Sequence, residues 1–246
     1  ELGEDDYSSE KTSLYEAWEI PGDDEYVMYV LKTVADEMAI ESRGELAYAV
    51  TGEGTSQKQL DREDAARANL ASLLNVDVDA LGMLPNTTQA LHRVLNSIDW
   101  NKGDELCVPS VEHLSTFHAA QVLGQRHGVI LKTIPSTYGD DDFLERLSST
   151  LSDRTKLLVV SQVSSPDGRR LPVREAADLA HERGIPVAVD GAQAVGVYPV
   201  DVSALGCDFY VAGGHKWLLG PRGTGFVWVA PAQIAKFRPD LFPEVS

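Results

Sequence analysis

Cysteine is nearly missing from this chain: Cys107 and Cys207 are the only two in 246 residues. Each lies in an apolar, strand-like run, which points to buried free thiols in a reducing cytoplasm and excludes a disulfide-built scaffold. Long apolar runs are missing too. None reaches eighteen residues, so no membrane-spanning helix is expected. The opening Glu1-Leu-Gly-Glu-Asp-Asp has no secretory-signal pattern. Basic residues are scarce, 21 Lys and Arg against 38 Asp and Glu, for a formal charge of −17. Such a surface repels phosphate backbones and anionic lipid, so neither nucleic acid nor membrane is an expected partner. It suits a high-salt cytoplasm, where screening weakens self-repulsion, and equally a plain acidic enzyme. Metal-ligand spacing is also lacking. His113 and His118 are five apart, and no Cys or His completes a set.

What is present is a full complement of core: 43% of the residues are hydrophobic, enough for one large α/β domain. Residues 1–24 are acidic with scattered Tyr7, Tyr15 and Trp18, and fit either a mobile arm or an arm packed on a partner subunit. Residues 25–62 form a helical segment. Val27, Leu31, Val34 and Met38 recur at helical spacing, with Asp23 or Asp24 to cap that helix and Gly44 to end it. A second helix is expected over Gln57 to Leu74.

From residue 63 to 235 the pattern alternates. Strand-like runs fall at Ala80 to Leu84, Glu105 to Pro109, Val129 to Ile134, Leu157 to Ser161, Val187 to Asp190, Phe209 to Ala212 and Gly225 to Ala230. Helical stretches at Thr88 to Ile98, Leu114 to His127, Asp141 to Leu151 and Val173 to Arg183 separate many of them. Val-rich strands alternating with helices predict a three-layer α/β fold, a mostly parallel central sheet covered on both faces.

Open α/β sheets gather ligand groups at the carboxyl ends of their strands. Asp190 ends the short apolar run Val187-Ala-Val, and Lys216 follows the next strand. A carboxylate and an amine at neighbouring strand ends suit pyridoxal phosphate, the amine as Schiff-base partner and the carboxylate as guardian of the ring proton. The other reading is an ordinary strand-end Asp and a surface Lys. Pro85-Asn-Thr-Thr-Gln-Ala-Leu91 runs from a strand end into a helix, where free amides and hydroxyls bind phosphate, or where Asn86 or Thr87 is simply an N-cap.

Val-Asp-Gly-Ala-Gln-Ala-Val, ending at Val195, and Gly214-His-Lys-Trp-Leu-Leu-Gly-Pro-Arg-Gly-Thr-Gly225 together resemble the class V aminotransferase family. That family includes cysteine desulfurases, cyst(e)ine lyases and isopenicillin-N-epimerase-like enzymes. The likeness runs from about Arg67 to Ala230. It implies the large domain of a type I pyridoxal-phosphate enzyme over 63–235, with 236–246 beginning the linker to a small domain not included in this sequence. It further implies that Thr87 and Thr88 cradle phosphate, that His113 stacks on the pyridine ring, and that Asp190 pairs with the ring nitrogen. Gln193 would donate to O3′, His215 contact phosphate, and Lys216 form the Schiff base and then move protons at Cα. Ser165 falls in a loop near the cofactor, where relatives often carry His at the position of Gln162. Gly213 departs from the Ser or Thr many relatives use to bond phosphate. The glycine-rich turn with Arg222 is expected near a neighbour's cofactor, or else as a solvated turn.

The implied activity is a C–S lyase acting on a cysteine derivative, because Trp217 and the following turn suit the lyase and epimerase-like branch. An aminotransferase or epimerase is the alternative within the family. A non-catalytic large domain is the alternative outside it. Neither cysteine matches the desulfurase nucleophile. A small amino acid is the expected substrate, and a homodimer or a complementary chain supplying the small domain is the expected assembly.

Overall fold

The computed structural model describes residues 56–136 and 142–235. The chain divides into two units, the first ending at Leu60 and the second running from Asp61. The expected acidic arm, the helix after Asp24 and the residues from 236 on lie outside the described residues. α1 (Ser56–Leu74) leads through a short 3-10 turn into β1 (Leu81–Leu84). Then follow α2 (Thr87–Asn96), β2 (Glu105–Pro109), α3 (Leu114–His127), β3 (Ile130–Ile134), α4 (Phe143–Thr150), β4 (Thr155–Ser161) and α5 (Val173–His181). The chain continues with β5 (Val187–Asp190), α6 (Val202–Leu205), β6 (Phe209–Gly213) and β7 (Gly225–Val229).

All seven strands form one sheet in the order β1-β7-β6-β5-β4-β2-β3. The run from β3 to β6 is parallel, and β7 and β1 close the other edge antiparallel. The alternating pattern therefore gave the layers and the parallel centre, while the antiparallel edge is set by pairing between distant strands. The four-residue helix α6 was too short to leave a periodic trace.

Successive residues of the central strands feed two cores. Leu158, Val160, Val187, Val189, Tyr210 and Phe226 face one layer with Leu74, Leu147, Ala176 and Val202. Leu157, Val159, Ala188, Phe209, Val211 and Val227 face the other with Leu91, Ala119 and Leu123. A strand covered on both faces has no polar side, which is why these runs read as continuous apolar stretches. Each fully buried Leu, Val or Phe contributes about 1.5–3 kcal/mol. At the far end of the sheet, Asp208 accepts from the Val187 amide at 2.8 Å and from Gln233 Nε2 at 2.7 Å, and it pairs with His181 Nε2 at 2.8 Å. This buried bracket fixes where β5 begins, and so where Asp190 ends it.

Close packing also fixes the turn after β5. A Cβ at Gly191 would run into the hydroxyl and ring of Tyr210. Tyr210 is fully buried, stacks on Phe226 and donates to Gln162 Oε1 at 2.6 Å, so it has nowhere to go. We expect Gly191→Ala to lower stability by about 1–3 kcal/mol or more, the range for overpacking a filled core. A thermal melt of the variant beside the parent chain checks it, and an unchanged midpoint refutes it.

Candidate functional site

A cavity of about 670 Å³ opens at the carboxyl ends of β5 and β6, within the usual range for small-molecule sites. Pro85, Asn86, Thr87, Thr88 and Gln89 form one wall; His113, Ser115, Asp190, His215, Lys216, Arg222 and Gly223 form the rest. Six of the eight residues singled out from sequence, Thr87, Thr88, His113, Asp190, His215 and Lys216, are brought together here. In a chain with so large an acidic excess, this cavity holds one buried acid against a lysine, an arginine and two histidines.

The β1–α2 turn reaches the cavity because β1 runs beside β7. Gly225 must be a glycine for this: a Cβ there would lie 2.7 Å from the Asn86 Cα. Asn86 caps α2, its Oδ1 accepting from the Gln89 amide at 2.8 Å. A helix start has more amides than partners, so one cap leaves donors for an anion. Thr87 sits beside it with its Oγ1 buried and without a hydrogen-bond partner among the described residues. Of the two candidates for the cap, Asn86 takes it and the Thr87 hydroxyl is left over. Gly213 faces the same corner, where a Cβ would stand 3.0 Å from Thr87 Oγ1 and 3.1 Å from His215 Cε1. The missing side chain thus leaves its space to the Thr87 hydroxyl.

His113 plays a local part that sequence did not disclose. It is the N-cap of α3, Nδ1 accepting from the Ser115 amide at 3.2 Å and lying 2.8 Å from Ser115 Oγ. A ring nitrogen that accepts an amide hydrogen carries none itself, so the neutral ring keeps its hydrogen on Nε2. Asp190 is buried at the end of β5, and Oδ1 accepts from the Ala192 amide at 2.9 Å. Burial pushes its carboxyl up, while that amide, Lys216 and His113 pull it back down.

Lys216 is held in a closed loop. Gly214 donates to Thr224 at 2.9 Å, Gly220 donates to Gly214 at 2.8 Å, and Leu219 donates to Lys216 at 3.1 Å. Leu219 closes that turn at φ 56°, in the left-handed region, which costs a branched residue roughly 1–2 kcal/mol. Trp217 points away from the buried side and donates to Gln193 Oε1 at 2.7 Å, and Gln193 Nε2 in turn lies 3.4 Å from Ser165 Oγ. Ser165 and Gln193 thus form a chain with Trp217 and are not among the cavity-lining residues. Gln162 points the other way, into the core, toward Tyr210. Arg222 lines the cavity of its own chain.

Two further groups escaped sequence reasoning or were only bounded by it. Glu112, next to His113, is 4% exposed and bonds Ser161 through both carboxyl oxygens. Its only sequence trace was an acid between two apolar runs. Cys107 and Cys207 are buried free thiols, as their surroundings implied, and burial pushes Cys107 up to about 12. No thiol lines the cavity. Among the described residues no cluster of three His, Cys, Asp or Glu is placed to hold a metal, and no helix is long and apolar enough to cross a membrane.

The family model "Aminotransferase class-V" matches residues 30–242. Over 180 residues the chain is 37% identical to a cysteine desulfurase of Enterobacter sp. (strain 638), covering 71% of this chain and 44% of the relative. A cysteine desulfurase of Escherichia coli O7:K1 is 35% identical over 190 residues, 75% of this chain and 46% of the relative. The chain therefore spans less than half the length of these curated relatives. Among solved structures, the cystine C-S lyase C-DES in complex with its product cysteine persulfide superposes with a TM-score of 0.75 at 29% identity. That match covers 83% of this chain and 56% of C-DES. A C-DES mutant with glycine covalently linked to its PLP cofactor gives the same TM-score at 28% identity, covering 83% of this chain and 55% of that one.

Proposed function

Since the chain belongs to the class V aminotransferase family, we propose that it is the cofactor-binding domain of a pyridoxal-phosphate enzyme that cleaves a C–S bond in a cysteine derivative. The observation that carries this reading is the cavity at the ends of β5 and β6, which joins a phosphate-sized turn, a buried carboxylate and a lysine. The residues fit the cofactor. The Thr87 hydroxyl, without a partner among the described residues, and the start of α2 suit a phosphate, and a buried acid suits a cationic ring nitrogen.

Bound pyridoxal phosphate supplies an aldehyde that joins amines and a protonated ring that takes up a carbanion's electrons. Thr87, Thr88 and His215 would hold the phosphate, Asp190 would keep the ring nitrogen protonated, and His113 would stack on the ring and limit its tilt. Gln193, held by Trp217 and Ser165 outside the cavity lining, would have to turn inward to donate to O3′. Lys216 would anchor the cofactor through its amine, and its Nζ would take the proton from the substrate Cα and return it to the sulfur that leaves Cβ with the bonding pair. Both thiols are buried and neither lines the cavity, so neither is placed to take sulfur from a substrate held there.

Leu114, Trp217 and Leu219 are exposed beside these residues, at 62%, 46% and 77%. They favour an assembly in which a second copy or a complementary chain covers the site, and the reduced thiols favour the cytoplasm. Reduction by borohydride in the presence of pyridoxal phosphate, followed by peptide mapping, tests the assignment. The label is expected on Lys216, and label on any other lysine overturns it.

A further inference from the structure

We propose that Glu112 is a positioning residue of this site, working as an uncharged hydrogen-bonding group that ties the His113 turn to the strand end beside Asp190. The inference rests on the pyridoxal-phosphate reading for its consequence, and on geometry for its cause. Glu112 Oε1 accepts from the Ser161 amide and Oε2 lies against Ser161 Oγ, both at 2.6 Å. Ser161 is the last residue of β4 and pairs in register with Asp190, and the next amide, Gln162, donates to the Asp190 carbonyl at 2.9 Å. One carboxyl therefore spans the β2–α3 turn, which carries His113, and the β4–β5 edge, which carries Asp190. These are the two groups proposed to face the ring.

The same geometry decides the charge. Glu112 and Asp190 are both buried, 4% and 6% exposed, and no cation bonds Glu112 among the described residues. Two carboxylates cannot both be ionised cheaply in one dry wall. Lys216 and His113 beside Asp190 pull its carboxyl down and nothing comparable among the described residues faces Glu112, so the proton stays on Glu112. Tyr210, beneath Asp190, is buried and adds no charge. A serine hydroxyl can take a hydrogen as readily as give one, so Oε2–H donating to Ser161 Oγ satisfies the pair. In line with this, burial pushes the Glu112 carboxyl up to about 8, against the pull of the Ser161 bonds, and the Asp190 charge adds to the rise.

The sign of the pH effect follows. The folded chain holds this proton more tightly than the unfolded chain does. Its contribution to stability is full below the ordinary carboxylate range, falls as pH rises through it toward 8, and is level above that. Glutamine keeps the shape, accepts from the Ser161 amide and donates to Oγ, but has no proton to lose.

The test uses the full chain with Glu112→Gln and Glu112→Ala. Thermal melts of the cofactor-free proteins from pH 5 to 9 should show the parent midpoint falling relative to Glu112→Gln up to pH 8. Titration with pyridoxal phosphate at pH 7 should give a Kd for Glu112→Gln within about threefold of the parent. Glu112→Ala should bind about tenfold or more weakly, the scale of a lost buried hydrogen bond. Parallel melting curves for parent and Glu112→Gln overturn the uncharged state. Glutamine binding as weakly as alanine, or alanine binding as tightly as the parent, overturns the positioning role. A parent chain that takes no pyridoxal phosphate overturns the functional reading instead, while the melts still decide the state of Glu112.

Discussion

Lys216→Ala leaves a folded chain that no longer shows the visible absorbance of cofactor joined to lysine, and turnover falls by at least about 10²–10⁴, the scale of one proton-transfer group. The fold survives because Lys216 is half-buried in a turn held by backbone hydrogen bonds among Gly214, Leu219, Gly220 and Thr224, none of which uses its side chain. Phosphate binding survives as well, since the Thr87–Thr88 turn is built by β1 and β7. Spectrum and turnover should therefore be lost together, while pyridoxal phosphate still binds in equilibrium dialysis. A Lys216→Ala protein with the parent's spectrum would return the assignment to another lysine.

Asp190→Asn should separate stability from chemistry in the opposite sense. Asparagine keeps the acceptor for the Ala192 amide and removes a carboxyl that burial disfavours in its charged form. A carboxyl whose folded value is raised costs stability as pH climbs past the ordinary carboxylate range. The cofactor-free variant is thus expected to melt at or above the parent at pH 8. Its turnover should drop by about 10²–10³, as when one preorganised electrostatic contact is removed, because an amide cannot hold the ring nitrogen protonated. An Asn variant that is both less stable and fully active would show that Asp190 has neither the strained burial nor the role given to it. Sites that trade stability for chemistry in this way are common among enzymes.

How far the sequence could be read depended on how local each signal was. β5 and β6 were legible because three or four apolar residues in a row, ended by Asp190 or by a glycine-rich turn, need no knowledge of neighbours. The phosphate turn was half legible. Asn-Thr-Thr after a strand announces a helix start, but only the fold shows that Asn86 does the capping and Thr87 is left with a free hydroxyl. Glu112 was not legible, because an acid in a turn normally faces water, and its inward path depends on Ser161, forty-nine residues away. The inward turn of Gln162 was hidden for the same reason: a polar residue in a polar loop gives no sign that Tyr210 lies beneath it. The antiparallel edge was hidden because β1 and β7 share no local pattern, only complementary apolar faces.

That edge sets an order of assembly. Among the described strands β1 pairs only with β7, so about 140 residues must be synthesised between Leu84 and its partner Gly225. At ribosomal rates of about 5–20 residues per second, this is roughly 7–30 s during which the first strand has no place in the sheet. The parallel centre, β2 through β6, can collapse meanwhile. The turn bearing Thr87 and Thr88 docks only when Gly225 arrives to make room beneath Asn86, so this corner of the cavity waits for β7, the latest of the described strands. Inorganic phosphate or pyridoxal phosphate present during refolding is then expected to act on that step, clamping β1 to β7.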